Sequence, residues 1–243
     1  MVQFKDSIII LDNGISVLPQ IHQFCYKCKK SLVDGIVCNE CKHHSYQMLF
    51  NLGYYISRWY RRIDKYISSN IRDPYDIKNI KPEYQFSKMI NDAKQRWEYN
   101  TINQKKEIIK ILSNGFAWMI KNEYSDILDE IDLIVHVPKK NEDPINDESD
   151  VTLFNHGYYY ARYIADNLEI DFEPNNIYEE STSTKNDRKF KISNSSAVSN
   201  KTIMIIDDAY TNADTKGPIS DGLLLKGAFR IYIGVIARSI SNY

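Results

Sequence analysis

The sequence predicts a doubly wound α/β domain built on a mainly parallel sheet, preceded by a small metal-binding segment. Apolar strands and amphipathic helices alternate from about residue 84 onward, which is the order of elements typical of that fold class. The run TIMII at 202–206 is continuously apolar, as expected of a parallel strand that is covered on both faces. All four cysteines lie within residues 25–41, which sets the beginning of the chain apart from the rest.

Composition limits the classes of function that need to be considered. The chain has 243 residues, of which 43% are apolar, so it can bury the core of one or two domains. The formal net charge of −1 gives no overall attraction to nucleic acid or to an acidic membrane surface. No apolar run approaches the roughly 18–20 residues that a membrane span needs, and the beginning of the chain lacks the features of a secretory signal. We therefore expect a cytoplasmic protein without a membrane partner.

The first 83 residues contain β-rich segments followed by one helical pattern. Residues 7–11 and 15–18 are rich in β-branched residues and flank an Asn-Gly turn, which predicts a hairpin. The aromatic run YQMLFNLGYYI at 46–56 is expected to form a strand. The segment SRWYRRIDKYISSNI at 57–71 places apolar residues on one face of a helix.

The remaining residues give the alternation on which the fold class depends. Helical spacing of apolar residues, short β-branched runs and polar turn-rich stretches follow one another without an internal repeat. The predicted elements are helices at 85–99, 103–131, 152–170 and 216–227, strands at 132–137, 202–206 and 230–237, and an exposed mobile loop at 179–201.

The cysteines form two Cys-x-x-Cys pairs, Cys25 with Cys28 and Cys38 with Cys41, separated by nine residues. Each pair can present two sulfurs to one point, and the Asp-Gly in the connection allows the pairs to meet. Four thiolates at one point form a closed tetrahedral Zn²⁺ site that is structural rather than catalytic. A redox pair or buried thiols are the alternatives, but a redox motif needs only one such pair.

Two adjacent carboxylates, Asp207 and Asp208, follow the apolar run at 202–206. Ligand sites in open α/β sheets lie at the carboxyl ends of strands. Vicinal carboxylates can accept hydrogen bonds from two neighbouring hydroxyls of a ribose, and the polar turn at 209–215 can offer backbone N–H groups to a phosphate at a helix N-terminus. Together these features indicate a ribose 5-phosphate ligand. Acidic pairs are also common at strand ends and in helix caps.

The stretch IMIIDDAYTNADT resembles the signature loop of type I phosphoribosyltransferases. The paired Cys-x-x-Cys motifs resemble those of the ComF-type zinc-ribbon members of that family, which are related to proteins of bacterial DNA uptake. Four further stretches resemble the same members in the same order: MINDAK at 89–94, LIVHVPKK at 133–140, FNHGYYYARYIADNL at 154–168 and the closing GVIARS. The resemblance implies a hairpin and zinc ribbon at 1–45 and a phosphoribosyltransferase-like domain at 46–243, in which 46–83 is a variable insert.

The resemblance also implies roles for individual residues. Asp207 and Asp208 would hold the ribose hydroxyls, and Asp214 would be a candidate base. Mg²⁺ would bridge the diphosphate and the ribose of phosphoribosyl pyrophosphate, and the loop at 179–201 would close as a lid. The implied ligand-binding residues are Tyr210, Thr211, Asn212, Ala213 and Thr215 around the 5-phosphate, Pro138, Lys139 and Lys140 in the pyrophosphate loop, Lys185 and Arg188 in the lid, and Lys94.

Two hypotheses of different classes follow. The first is an enzyme that transfers or cleaves a phosphoribosyl group. The second is a non-catalytic module that senses a nucleotide and binds single-stranded nucleic acid or a protein through the zinc ribbon and the basic, aromatic segment at 58–66, in DNA uptake, recombination or phage defence. Asn212 and Ala213 replace the Thr and Gly of the family pattern, and Asp214 adds negative charge beside a phosphate, which favours the second hypothesis. The oligomeric state is left open.

Overall fold

A computed structural model provides the fold. It describes residues 9–17, 20–25, 46–56, 82–94, 101–138, 155–174, 176–180, 189–210 and 216–240. The described strands are β1 (Ile9–Ile10), β2 (Ser16–Val17), β3 (Gln20–Cys25), β4 (Tyr46–Ile56), β5 (Leu133–His136), β6 (Ile177–Glu179), β7 (Phe190–Ile192), β8 (Thr202–Tyr210) and β9 (Arg230–Ile240). The described helices are α1 (Pro82–Lys94), α2 (Ile102–Glu123), α3 (Ser125–Leu128), α4 (His156–Leu168), α5 (Ser195–Val198) and α6 (Lys216–Leu225).

The central sheet has the order β3-β4-β9-β8-β5 in the described part of the chain. Strands β4, β9, β8 and β5 are parallel, and β3 pairs antiparallel with β4 at one edge. The run at 202–206 lies in β8 between two parallel neighbours, which explains why it is apolar without alternation. The α/β class and the mainly parallel sheet predicted from the sequence are therefore confirmed.

Both faces of the sheet are covered. On one face, Met204 and Ile206 of β8 pack in a core with apolar residues of α1, α2 and α4, such as Phe116. On the other face, Ile203 and Ile205 pack with residues of α6 and of the β6–β7 hairpin. Alternate residues of β8 thus serve opposite layers, as the pleat of a strand requires.

The N-terminal hairpin is confirmed as β1 and β2, which pair antiparallel. Its apolar residues, including Leu11 and Val17, belong to the same core as α2. A Cβ on Gly115 would lie 2.3 Å from Leu11 Cδ2, so this glycine permits the hairpin to approach α2 closely. Strand β4 is likewise a strand of the central sheet. Thus the described parts of 1–45 and of the predicted insert at 46–83 share the sheet and core of the larger domain.

Three predicted segments differ in the structure. The loop predicted at 179–201 contains β7 and α5, whose Ile192 and Val198 are buried in the core, so the prediction of an exposed mobile loop is wrong for residues 189–201. Strand β8 does not end at residue 206 but continues through both carboxylates to Tyr210. The helix predicted at 103–131 ends at Glu123, where Tyr124 leaves the helical region with φ −139°, and a short helix follows.

The predicted helix at 57–71 lies outside the described residues. In the described ranges, no helix combines the length and the hydropathy that crossing a bilayer requires.

Tyr232, near the amino ends of the central strands, makes the free energy of unfolding depend on pH. Burial and a hydrogen bond to Glu130 raise the pKa of Tyr232 to about 12, against an ordinary value near 10. The folded chain therefore holds this proton more tightly, and its contribution to stability is present below pH 10 and lost as pH rises from 10 to 12. We expect Tyr232→Phe to flatten the fall in unfolding free energy across that window in urea titrations. Equal slopes for Tyr232→Phe and the control Tyr178→Phe, at a half-exposed tyrosine, would contradict this.

Candidate active site at the carboxyl ends of the central strands

The acidic pair lies at the carboxyl ends of two adjacent parallel strands. Asp207 and Asp208 occupy the last part of β8, and β5 runs beside it in register, with His136 opposite Ile206. The Val137 N–H donates to the Ile206 carbonyl over 3.1 Å, which extends the pairing up to the carboxylates. Buried Pro138 then follows. The structure thus places one predicted pyrophosphate-loop residue beside the predicted ribose-binding pair.

The Asp207 side chain is held by backbone groups next to it. Its Oδ1 accepts a hydrogen bond from the Asp208 N–H over 2.8 Å. The same oxygen would lie 3.7 Å from a Cβ on Gly157, in the first turn of α4. A carboxylate is stabilised near a helix N-terminus, because the first N–H groups carry partial positive charge. This geometry orients the Asp207 carboxylate toward the start of α4.

Asn155 joins the start of α4 to the end of β5. Its side-chain oxygen accepts from the Gly157 N–H over 2.9 Å, and its side-chain nitrogen donates to the Val137 carbonyl over 3.3 Å. A Cβ on Gly157 would come within 3.3 Å of that carbonyl, so a small residue suits this contact. Sequence reasoning missed both residues. An Asn directly before an amphipathic helix was the signal that could have revealed the cap.

Asp208 has a cationic partner from a distant element. The Nζ atom of Lys94, in the last turn of α1, lies 3.3 Å from its Oδ2. The two side chains are 24% and 22% exposed, so water screens the pair and its contribution to stability is at most about 1 kcal/mol. The structure therefore brings together two residues that the sequence assigned to one site, in an ion pair weak enough for a ligand to displace.

The two carboxylates have different partners, which makes their adjacency tolerable. Asp207 is stabilised by a backbone amide and by the N-terminus of α4, whereas Asp208 faces Lys94. Separate counter-charges reduce the repulsion that two neighbouring anions would otherwise feel. Both side chains remain partly exposed, so they are accessible to a ligand at this edge of the sheet.

Most other predicted site residues lie outside the described ranges. Only the backbone is described for Tyr210 and Cys25, each the last residue of its strand. Their proposed roles stay predictions. The residues outside the described ranges are Thr211, Asn212, Ala213, Asp214, Thr215, Lys139, Lys140, Lys185, Arg188, Cys28, Cys38 and Cys41.

The cysteine segment leaves the sheet at the edge opposite the carboxylates. Cys25 ends β3 and pairs with Tyr46, which begins β4, so residues 26–45 depart and return at neighbouring positions. Through β9, Asn51 of β4 is level with Asp207. Tyr46 is five residues earlier in β4, which is roughly 16 Å along a strand. No group of three or more potential metal ligands gathers among the described residues, and the zinc site stays a prediction.

We expect Asn155→Ala to destabilise the protein by about 1 kcal/mol, because the change removes an N-cap acceptor and the bond to the Val137 carbonyl. Urea denaturation measures this loss. Asn155→Ser keeps a capping oxygen without placing a second acceptor against the Val137 carbonyl, so it should recover most of the stability, while the bond to Val137 remains absent. Equal losses in the two variants would show that the cap contributes little.

The comparisons with known proteins find distant structural likenesses. No protein-family model matches the sequence, and no curated protein sequence matches it. Similar solved structures include adenine phosphoribosyltransferase from Saccharomyces cerevisiae, with 12% identity over 54% of this chain and 70% of that chain and a TM-score of 0.40. Another is a purine phosphoribosyltransferase from Pyrococcus horikoshii Ot3, with 13% identity over 56% and 90% of the two chains and a TM-score of 0.37. A third is a hypothetical protein from Neisseria gonorrhoeae with bound ppGpp, with 13% identity over 55% and 69% and a TM-score of 0.38.

Identities and TM-scores this low assign the chain to no family. The function proposed below therefore rests on the residues of the site.

Proposed function

We propose that this protein binds phosphoribosyl pyrophosphate, or a related ribose 5-phosphate ligand, together with Mg²⁺ and transfers or cleaves its phosphoribosyl group. The observation that carries the proposal is the carboxylate pair at the carboxyl end of β8, beside the N-terminus of α4 and within reach of Lys94. Open α/β sheets bind ligands at this edge.

The carboxylates suit a ribose diol. Ionised carboxylates accept hydrogen bonds only, and two of them can receive both hydroxyl protons of a vicinal diol. Asp207 is preset by the Asp208 amide. Asp208 becomes available when its screened ion pair with Lys94 opens. The released ammonium is then a cation beside an anionic ligand.

The phosphates would occupy the two turns that flank the diol site. Residues 211–215 connect β8 to α6, a helix of 10 residues whose N-terminus can receive the 5-phosphate. Residues 137–140 follow β5, next to β8, and would bind the pyrophosphate with Lys139 and Lys140. Asp214 would serve as a base for an acceptor.

The donor set at this edge fits Mg²⁺, which prefers oxygen ligands and retains waters. The described side chains here offer carboxylate oxygens, while the diphosphate and the ribose would supply the rest. When bound, Mg²⁺ supplies positive charge that neutralises the departing pyrophosphate. The chain's own residues hold the ribose through Asp207 and Asp208, and their negative charge favours an oxocarbenium-like carbon as its bond to pyrophosphate breaks.

The alternative is a non-catalytic nucleotide-sensing module that also binds nucleic acid or a protein. Ala213 and Asp214 favour this alternative. Ala allows a phosphate to approach the backbone less closely than Gly does, and Asp214 repels the negative charge of a phosphate. Under this alternative the same carboxylates would still bind the ribose, but no pyrophosphate would be released.

One experiment tests the proposal and separates the two functions. The protein is mixed with phosphoribosyl pyrophosphate, Mg²⁺ and a mixture of nucleobases, and pyrophosphate release is followed beside calorimetric binding of phosphoribosyl pyrophosphate alone. Binding with release supports the enzyme. Binding without release, together with salt-sensitive binding of single-stranded DNA or RNA, supports the sensing module. Absence of binding overturns both.

A further inference from the structure

A buried hydroxyl without a described bonding partner belongs to α4, the helix that packs on the strand of the acidic pair. Tyr160, in α4, is 0% exposed, and its hydroxyl has no hydrogen-bond partner among the residues that the structure describes. An unpaired buried hydroxyl is destabilising, because it loses water without gaining a partner. Phe would fill the same space without that penalty. The presence of Tyr rather than Phe at this position therefore suggests that the hydroxyl has a function.

Tyr160 lies on the helix that packs on the strand of Asp208. Helix α4 packs on β8, and Tyr160 shares a core with Met204 and Ile206, the residues that precede Asp208 on the same face of the strand. Burial, and then the charge of Asp208, raise the pKa of Tyr160 well above its usual range. The phenol therefore remains protonated and available as a hydrogen-bond donor beside an acceptor-only carboxylate.

The Asp208 carboxylate can accept further hydrogen bonds. Within the described ranges, the Asp208 carboxylate contacts Lys94 through Oδ2, and both side chains are partly exposed. An ionised carboxylate offers about four lone-pair directions. A ribose diol would take the exposed side and displace Lys94, which would leave the carboxylate free to turn unless a second group held it from below.

We propose that Tyr160 is a positioning residue, whose buried hydroxyl donates to Asp208 when a ribose diol displaces Lys94 and so fixes that carboxylate for the ribose hydroxyls. The inference rests on the proposed function. Tyr160 itself does not touch the ligand, because its hydroxyl is buried. If no residue outside the described ranges pairs with this hydroxyl, the stability that it loses in the free protein is recovered as affinity once the bond forms.

The test compares two single-hydroxyl deletions in one helix. Tyr160→Phe removes the proposed donor. Tyr159→Phe is the matched control, because Tyr159 is also buried, neighbours Tyr160 in the same helix, and contacts the rings of Tyr158 and Tyr163. Calorimetry with Mg²⁺ present measures the Kd of phosphoribosyl pyrophosphate, which carries the diol, and of pyrophosphate, which does not. Urea denaturation measures the stability of both variants.

We expect Tyr160→Phe to raise the Kd of phosphoribosyl pyrophosphate about tenfold, to leave the Kd of pyrophosphate unchanged and not to lower the urea midpoint. Tyr159→Phe should bind both ligands as the wild type does. A Kd of phosphoribosyl pyrophosphate that is unchanged in Tyr160→Phe, or an equal weakening for both ligands, would overturn the inference. In the latter case the residue would have only a structural role.

A second measurement covers a Tyr160→Phe protein that does not fold. Binding of phosphoribosyl pyrophosphate to the wild type should shift the tyrosine absorption band, because a phenol gains a charged acceptor, and Asp208→Asn should lack that shift. If ligand binding shifts the tyrosine band equally in the wild type and in Asp208→Asn, the proposed bond is refuted. A wild type that does not bind phosphoribosyl pyrophosphate would remove the proposed function and this inference together. Binding that needs Asp208 but not the Tyr160 hydroxyl would remove the inference alone.

Discussion

The double variant Asp207→Asn/Asp208→Asn is expected to lose at least 100-fold in affinity for phosphoribosyl pyrophosphate and to release no pyrophosphate. Each carboxylate would accept a hydrogen bond of about 1.5–3 kcal/mol from a ribose hydroxyl, and each 1.4 kcal/mol is worth a factor of ten. Calorimetry and a pyrophosphate-release assay measure the two effects.

The fold should survive this change. An Asn at position 207 retains the Oδ1 acceptor for the next amide, and the Lys94 pair lost at position 208 is partly exposed. The matched control is Asp132→Asn, another carboxylate-to-amide change, at a side chain that accepts from the Thr202 N–H at the opposite end of β8. A double variant that binds as tightly as this control would contradict the proposed role of the acidic pair.

Gly234→Ala is expected to destabilise the protein by about 1–3 kcal/mol, because it overfills the centre of the core. A Cβ at this position in β9 would lie 2.5 Å from Ile206 Cδ1 and 2.8 Å from Phe116 Cζ. Both side chains are 0% exposed, and close-packed protein cores contain few voids into which such side chains could move. Urea denaturation measures the loss. Since Ile206 directly precedes the acidic pair, the affinity for phosphoribosyl pyrophosphate should fall as well.

Gly222→Ala provides the control of opposite sign. Its Cβ would meet Ile192 at 3.6 Å, an ordinary contact, and Gly222 lies inside α6. Ala lowers the conformational entropy of the unfolded chain and favours the helix, so this variant should be as stable as the wild type or more stable by up to about 1 kcal/mol. Equal effects of the two substitutions would show that the contacts at Gly234 do not limit packing.

The sheet was predictable from sequence because its strands are covered on both faces. The run at 202–206 has no alternation to misread, and the aromatic run at 46–56 matches β4 residue for residue. The β7 strand and the α5 turn were missed because their segment is rich in Ser, Asn and Lys. Only a few apolar side chains, Ile192 and Val198 among them, anchor these elements in the core.

The acidic pair was recognisable from its place after an apolar strand, but its surroundings were not. Lys94 and Asp208 are far apart in sequence, and their contact depends on how α1 packs over the sheet. Tyr160 was visible only as part of a Tyr-Tyr-Tyr turn, since helical periodicity shows which side is buried and not what the hydroxyl meets. Contacts between distant elements require the coordinates.

The pairing of Cys25 with Tyr46 makes the cysteine stretch an insertion at the tip of a β-hairpin. The ladder between β3 and β4 already holds both ends of residues 26–45 side by side, so a two-residue turn could close the same gap without altering register. Evolution can therefore lengthen, exchange or discard this stretch independently of the acidic pair at the far edge. The cysteine stretch and the edge that carries the acidic pair are thus separately evolvable modules.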